Sequence, residues 1–211
     1  MIATPIVSFF AVFYVPASIL LLGCIIGLGS AFSAWSAVLR QDLVPGFLGR
    51  FLGAVIAAFV ATLVVGSPLL PIVVGLVVLA AVGLNIAGLS FDITPRSLFI
   101  AGTAGGIMGT LTGVGAAPMA ILYSGVEARR SAASQNTFFG FGMIVSILAL
   151  VAASLIQWSH LGFAVSLAPF AFLGFLIARP LVGRFERKSI RPWALGLATI
   201  SALALLIRSV L

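Results

Sequence analysis

Acidic residues are almost missing from this chain. Four Asp and Glu stand against eleven Lys and Arg in 211 residues, and charged residues of both signs together make up 7%. An ordinary soluble domain carries about 25% charged and about 45–50% apolar residues. Here 62% are hydrophobic and the mean hydropathy is +1.31. A small soluble globule leaves much of its chain facing water and cannot hide so much apolar surface. Lipid covers it. The scarcity of charge thus excludes a soluble fold and implies an all-α, polytopic membrane helical bundle. Other absences narrow the chemistry. With the single Cys24 no disulfide framework exists. The chain lacks Gly-x-Ser-x-Gly, His-Glu-x-x-His and paired carboxylates within its apolar runs. This argues against an intramembrane enzyme and implies no metal and no cofactor. No basic n-region or cleavage site opens the chain, so no removable signal peptide is expected.

The net charge of +7 and pI near 11.4 raise the question of nucleic acid. The basic residues sit mostly in short gaps between apolar runs, so nucleic acid is not the expected partner. Lys and Arg near helix ends hold loops on the cytoplasmic side. The expected surroundings are a lipid bilayer, a bacterial cytoplasmic membrane, with a homo-oligomer compatible with the composition.

Each spanning helix takes about 20 residues, so about seven or eight fit. Residues 2–39 carry no charge, and Pro16 divides them into a short piece, Pro5 to Tyr14, and a helix from Ala17 to Val38. Further spans are expected from Gly46 to Val65, Leu69 to Ala87, Leu98 to Val114, Ala132 to Ile156, Leu161 to Leu181 and Pro192 to Ile207. That makes about seven full spans plus short broken or half helices. The last connection, Arg184 to Arg191, is the densest basic loop and is expected in the cytoplasm, as is the Arg129-Arg130 connection.

An internal repeat organises these segments. Ala3-Thr4-Pro5-Ile6 matches Ala116-Ala117-Pro118-Met119 in pattern. Each is followed by a short apolar stretch, an aromatic, and a long uncharged helix opening at Ala17-Ser18 or Ala132-Ala133-Ser134. Polar stops follow at Arg40-Gln41-Asp42 and at Gln157 to His160. The repeats span 1–94 and 95–211 within one transmembrane domain. Repeat 1 lacks the glycine-rich helix that repeat 2 has in Leu98 to Val114. An upstream segment supplying it, or an open apolar groove in its place, is therefore expected.

The most informative stretch is Gly113-Val114-Gly115-Ala116-Ala117-Pro118. Glycine relieves the penalty on unusual backbone angles, and proline suits the first turn of a new helix. One helix thus stops within the membrane and another begins. Broken backbone at that depth is tolerated only beside protein or a water-lined cavity. Short half-helices in both halves of a repeat point to a transporter's midplane site, and free amides at a helix start favour an anion. Gly113-x-Gly115 has no strand before it, so a dinucleotide loop has no context. Gly102/Gly106 and Gly105/Gly109 have small-xxx-small spacing, which packs helices closely in lipid.

Gly109-x-x-x-Gly113-Val114-Gly115 leading to Pro118, followed by Arg-x-Ala-x-Ser-x-x-x-Phe at Arg130 to Phe138, resembles the TauE/SafE sulfite-exporter family. The resemblance covers essentially the whole chain except for the missing first helix. Where the family often has three glycines before the proline, this chain has Gly115-Ala116-Ala117. The resemblance implies a permease, a secondary transporter of small anions such as sulfite, organosulfonates or related carboxylates. It places the substrate site at Gly113, Gly115, Ala116 and Pro118 in repeat 2 and at Thr4 and Pro5 in repeat 1. Thr4 is also a fitting N-cap. Gln135 and Asn136 are expected to line the cavity or to bond neighbouring helices; Ser18 is a weaker candidate.

Arg50 and Arg179 lie within apolar helices, where a charge is by default a functional hypothesis. Arg179 is near enough to the basic loop to snorkel, and Asp42 is a candidate partner for Arg50. His160 beside Trp158 reads as an interfacial residue, and Trp35, Trp158 and Trp193 as an interfacial belt. The alternative from another class is a non-transporting scaffold or one subunit of a hetero-oligomeric membrane complex. Anion flux into liposomes separates the two.

Overall fold

The computed structural model describes Tyr14, residues 17–181 and residues 187–210, and these residues are helical with no strand among them. Eight α-helices follow one another: α1 (Ala17–Ser33), α2 (Leu43–Val64), α3 (Leu69–Ile86), α4 (Pro95–Thr112), α5 (Ala117–Leu122), α6 (Ala128–Ala152), α7 (Trp158–Leu181) and α8 (Arg187–Val210). Helices α2, with the turn Arg40–Asp42 before it, α3 and α6 are long and apolar enough by themselves to cross a membrane. Shorter apolar stretches lie in α1, α7 and α8.

Local sequence sets the boundaries. Pro95 opens α4 behind a reciprocal cap: Thr94 Oγ1 accepts the Ser97 N–H at 3.1 Å, and Ser97 Oγ accepts the Thr94 N–H at 2.9 Å. Gly113 closes α4 in the left-handed region, φ 73°, where a side chain is strained. Three boundaries differ from the sequence reading. α1 stops at Ser33 rather than Val38, and short 3₁₀ turns at Trp35–Ala37 and Arg40–Asp42 make the connection. α6 starts at Ala128, so Arg129 and Arg130 occupy its first turn rather than a loop. α8 starts at Arg187, making helix of part of the expected basic loop. The short piece expected from Pro5 to Tyr14 lies outside the described residues, Tyr14 excepted.

The most extensive packing joins α2 to α4, which run parallel. A Cβ on Gly49 would strike the Phe99 carbonyl, one on Gly53 the Thr103 carbonyl, and one on Gly102 the Gly46 carbonyl. Apolar side chains gain nothing from leaving lipid for another helix, so close backbone approach and interhelical hydrogen bonds carry the association. One such bond joins Thr110 Oγ1 of α4 to Ser146 Oγ of α6 at 2.7 Å, both fully buried.

α1 runs antiparallel to α6. Gly23 faces Met143, and a Cβ on Gly27 would lie 3.4 Å from Gly140 Cα. α3 runs antiparallel to α8, with Val74 and Val78 packed among Ala198, Ala202 and Leu205. Two serine bonds tie the ends of these helices: Ser18 Oγ of α1 donates to the His160 carbonyl of α7 at 3.1 Å, and Ser134 Oγ of α6 accepts the Leu39 N–H ahead of α2 at 3.0 Å. By contrast α7 has no neighbour like α4 among the described residues. Its Phe170, Phe172, Leu173 and Ile177 are exposed, and Gly162 and Gly174 face open space.

These directions sort the connections. α1, α3, α5 and α7 run toward one end of the bundle, and α2, α4, α6 and α8 run away from it. Exposed Arg40, Arg96, Arg129 and Arg130 all gather at that end, which is here called the basic end. The connections 65–68 and 153–157 lie at the opposite end and carry no Lys or Arg, and Arg208 in the last turn of α8 is a basic residue on that side. The basic end is thus predicted to be cytoplasmic. In a Cys24→Ser background, Ser124→Cys is expected to react with an impermeant thiol reagent only from the cytoplasm. Ser159→Cys is expected to react only from outside, and reversed labelling would overturn this orientation.

Candidate functional site

Arg50 stands in the middle of α2, and its residue is 5% exposed. The sequence alone makes the position crowded with small residues: Gly46, Gly49 and Gly53 share its helix. Four more glycines, from α4, the α4–α5 break and α6, leave the volume that the guanidinium fills. A Cβ on Gly109, Gly115 or Gly142 would collide with Arg50 nitrogens, and one on Gly105 would lie 3.5 Å from Nη1. Nη1 donates to the Gly105 carbonyl. Nε is buried and finds no hydrogen-bond partner among the described residues.

Asp42 does not pair with Arg50 as the sequence suggested. Its carboxylate, 4% exposed, accepts the Tyr123 hydroxyl at 2.7 Å. The two residues are eight apart on or beside one helix, about 12 Å along its axis. Among the described residues Arg50 therefore has no carboxylate partner.

A cavity opens beside the guanidinium, lined by Arg50, Gly105, Gly115, Ala116, Gln135 and Phe138, with Ala101, Gly102, Met119 and Phe139 completing its wall. Its volume is about 10 Å³, room for about one water. Three residues expected at the site, Gly115, Ala116 and Gln135, meet here. Gln135 also donates from its side-chain nitrogen to Ser131 Oγ at 2.9 Å. Gly113 and Pro118 shape the break without lining the cavity. Gly113 bonds its N–H to the Gly109 carbonyl at 2.7 Å, and buried Pro118 sits in the first turn of α5. Asn136 is half-buried and not part of the lining. Thr4 and Pro5 lie outside the described residues. Ser18 is engaged with His160 at the opposite end.

Two further expectations change. Gly102 and Gly106 pack α4 against α2, but Gly105 and Gly109 make room for a charge. α5 has only six residues, so its dipole is weak. The full charge at the cavity belongs to Arg50. His160, expected near the interface, is turned into the bundle: it is 5% exposed, and its Nδ1 accepts the Gln157 N–H at 3.0 Å. Trp158, two residues earlier, is exposed as expected of a belt residue. The Arg179 side chain is outside the described residues. Arg50 was visible in the sequence as an intramembrane charge. Its role at the cavity would have followed from matching Gly46-x-x-Gly49-Arg50-x-x-Gly53 with the stripe at Gly102 to Gly109.

Apolar membrane-length helices, a broken segment inside the bundle and a buried cation at a cavity define a multi-pass membrane protein of the transporter class. The family model for the sulfite exporter TauE/SafE matches residues 1–205, and the chain belongs to that family. No curated protein and no solved structure matches the chain significantly.

Gly142→Ala and Gly109→Ala are expected to displace the guanidinium and destabilise the folded protein by about 1–3 kcal/mol. Thermal unfolding in detergent measures this. Gly83→Ala, where a Cβ meets open space, is expected to stay within about 0.5 kcal/mol of the unmodified protein.

Proposed function

We propose that this protein is a secondary transporter that moves small oxyanions, among them sulfite, organosulfonates and related carboxylates, across a bacterial cytoplasmic membrane. The carrying observation is Arg50: a guanidinium inside the bundle, without a carboxylate partner among the described residues, beside a cavity. An unpaired charge away from water is costly. An anion entering the cavity relieves that cost by supplying the missing partner. The planar fork of a guanidinium suits oxygens held on one central atom, which it meets through parallel N–H···O bonds. Gly115 and Ala116 bring backbone rather than side chain to the cavity wall, and Gln135 adds an amide. A cavity of about 10 Å³ is smaller than sulfite, so this reading takes the structure as an occluded state that widens to admit substrate.

In this reading the bundle is seven spans, α1 to α4 and α6 to α8, with α5 re-entrant. The spans form two inverted repeats, 1–94 and 95–211, in which α1, α2 and α3 correspond to α6, α7 and α8. The antiparallel pairs α1/α6 and α3/α8, and the reciprocal bonds of Ser18 and Ser134, support this pairing. Such an arrangement lets one site face either side alternately.

Reconstituted protein should carry sulfite, or another anion of a panel of sulfonates and small carboxylates, into liposomes. Arg50→Gln is expected to lower that flux about 10- to 100-fold, the loss of a charge-assisted bond. Arg50→Lys should retain more, as it keeps the charge but not the fork. Protein that folds and shows no anion-dependent flux would instead support a scaffold.

A further inference from the structure

The chain has two tyrosines, and each makes its contact at one end of the bundle with a buried ionisable residue at the start of a helix. Tyr123 ends α5, just ahead of α6, and its hydroxyl donates to Asp42, which leads into α2. Tyr14 stands just ahead of α1 and meets the His160 ring of α7 edge-on, with centroids 5.9 Å apart and planes at 71°. The correspondence of α1 with α6 and of α2 with α7 exchanges these two contacts. One lies at the basic end and the other at the opposite end.

The Asp42–Tyr123 contact is also placed to close a path. Asp42 leads the helix that carries Arg50, while Tyr123 ends the short helix whose approach, Gly115 and Ala116, lines the cavity. Their bond therefore joins two walls of the cavity on its basic side. Tyr123 packs there with Leu98, Met119, Leu122 and Phe138 in a buried cluster. At the other end Tyr14 stacks on Phe163 of α7, centroids 4.3 Å apart at 19°, while Ser18 holds the His160 carbonyl. Purely apolar side chains would seal the basic end at lower desolvation cost. A hydrogen-bonded carboxylate differs in that water satisfies it when the contact opens, so neither state leaves an orphaned polar group.

From this we infer that Asp42–Tyr123 is the gate of the transport path on the basic side of the cavity. The inference rests on the transport reading above. The two are positioning residues that hold helices together and do not touch the anion.

The test uses the full chain in vesicles of both orientations, in a Cys24→Ser background with Ala116→Cys as reporter in the cavity. Tyr123→Phe keeps the ring and removes the bond. It is expected to raise labelling by an impermeant thiol reagent about tenfold from the basic side only. Asp42→Asn weakens the same bond from its other partner and should act in the same direction. Equal labelling from both sides, or no change in either variant, overturns the gate. Anion flux of the unmodified protein is measured separately. Flux with unsided labelling defeats the gate alone, whereas sided labelling without flux keeps the gate and defeats the transport reading.

Discussion

A guanidinium carried into the interior of a lipid-embedded bundle constrains every helix around it. The group is planar, cannot shed its charge in a protein, and needs partners for its N–H groups. Around Arg50 the chain answers with emptiness: Gly105 and Gly109 on α4, Gly115 in the break and Gly142 on α6 each lack the Cβ that would occupy its space. Other glycines, Gly49 and Gly53 on α2 with Gly102 and Gly106 on α4, let the two helices touch backbone to backbone, and the Gly105 carbonyl lies within reach of Nη1. Nε finds no hydrogen-bond partner among the described residues. Packing, which normally drives membrane helices together, is here combined with keeping a charge available.

The break between α4 and α5 follows from that constraint. A continuous helix through residue 113 would carry side chains and backbone past the guanidinium. Gly113, in the left-handed region, turns the chain instead, and Thr112 Oγ1 accepts the Val114 N–H at 3.1 Å within the turn. α5 then returns toward the basic end and delivers Tyr123 to Asp42. Arg50 and Asp42, the cation and carboxylate that a sequence reader would pair, are thereby given separate tasks.

The symmetry that we propose joins these local features into one device. The helices that correspond pack against each other, α1 with α6 and α3 with α8, so the two halves share their interfaces rather than sitting side by side. The cavity, however, is built from α2, α4, α5 and α6, with one arginine on one side. That asymmetry agrees with α4 having no described counterpart against α7, whose Gly162, Gly174, Phe170 and Phe172 lie open. Under the proposed symmetry, the frame would rock while the one-sided charge stays central.

Much of the frame was legible in the chain. Charge scarcity implied helices in lipid, because no other solvent covers so much apolar surface. Proline and glycine marked the breaks because their backbone preferences act locally, and Gly113, Gly115 and Ala116 fell where expected. Ends of helices were read less well: α6 begins four residues early because Arg129 and Arg130, polar as they are, tolerate a helical first turn. The partner of Arg50 was not legible at all. Pairing by charge favoured Asp42, eight residues away, but a helix spaces those residues about 12 Å apart, and Tyr123 reaches the carboxylate from 81 positions along the chain. His160 likewise looks interfacial beside exposed Trp158, yet the helix turns it inward against Tyr14. Sequence determined which residues can live in a bilayer and where the backbone must break, since those depend on each residue's own transfer energy and dihedral freedom. Tertiary structure alone decided which polar groups meet, since that depends on the crossing of helices far apart in the chain.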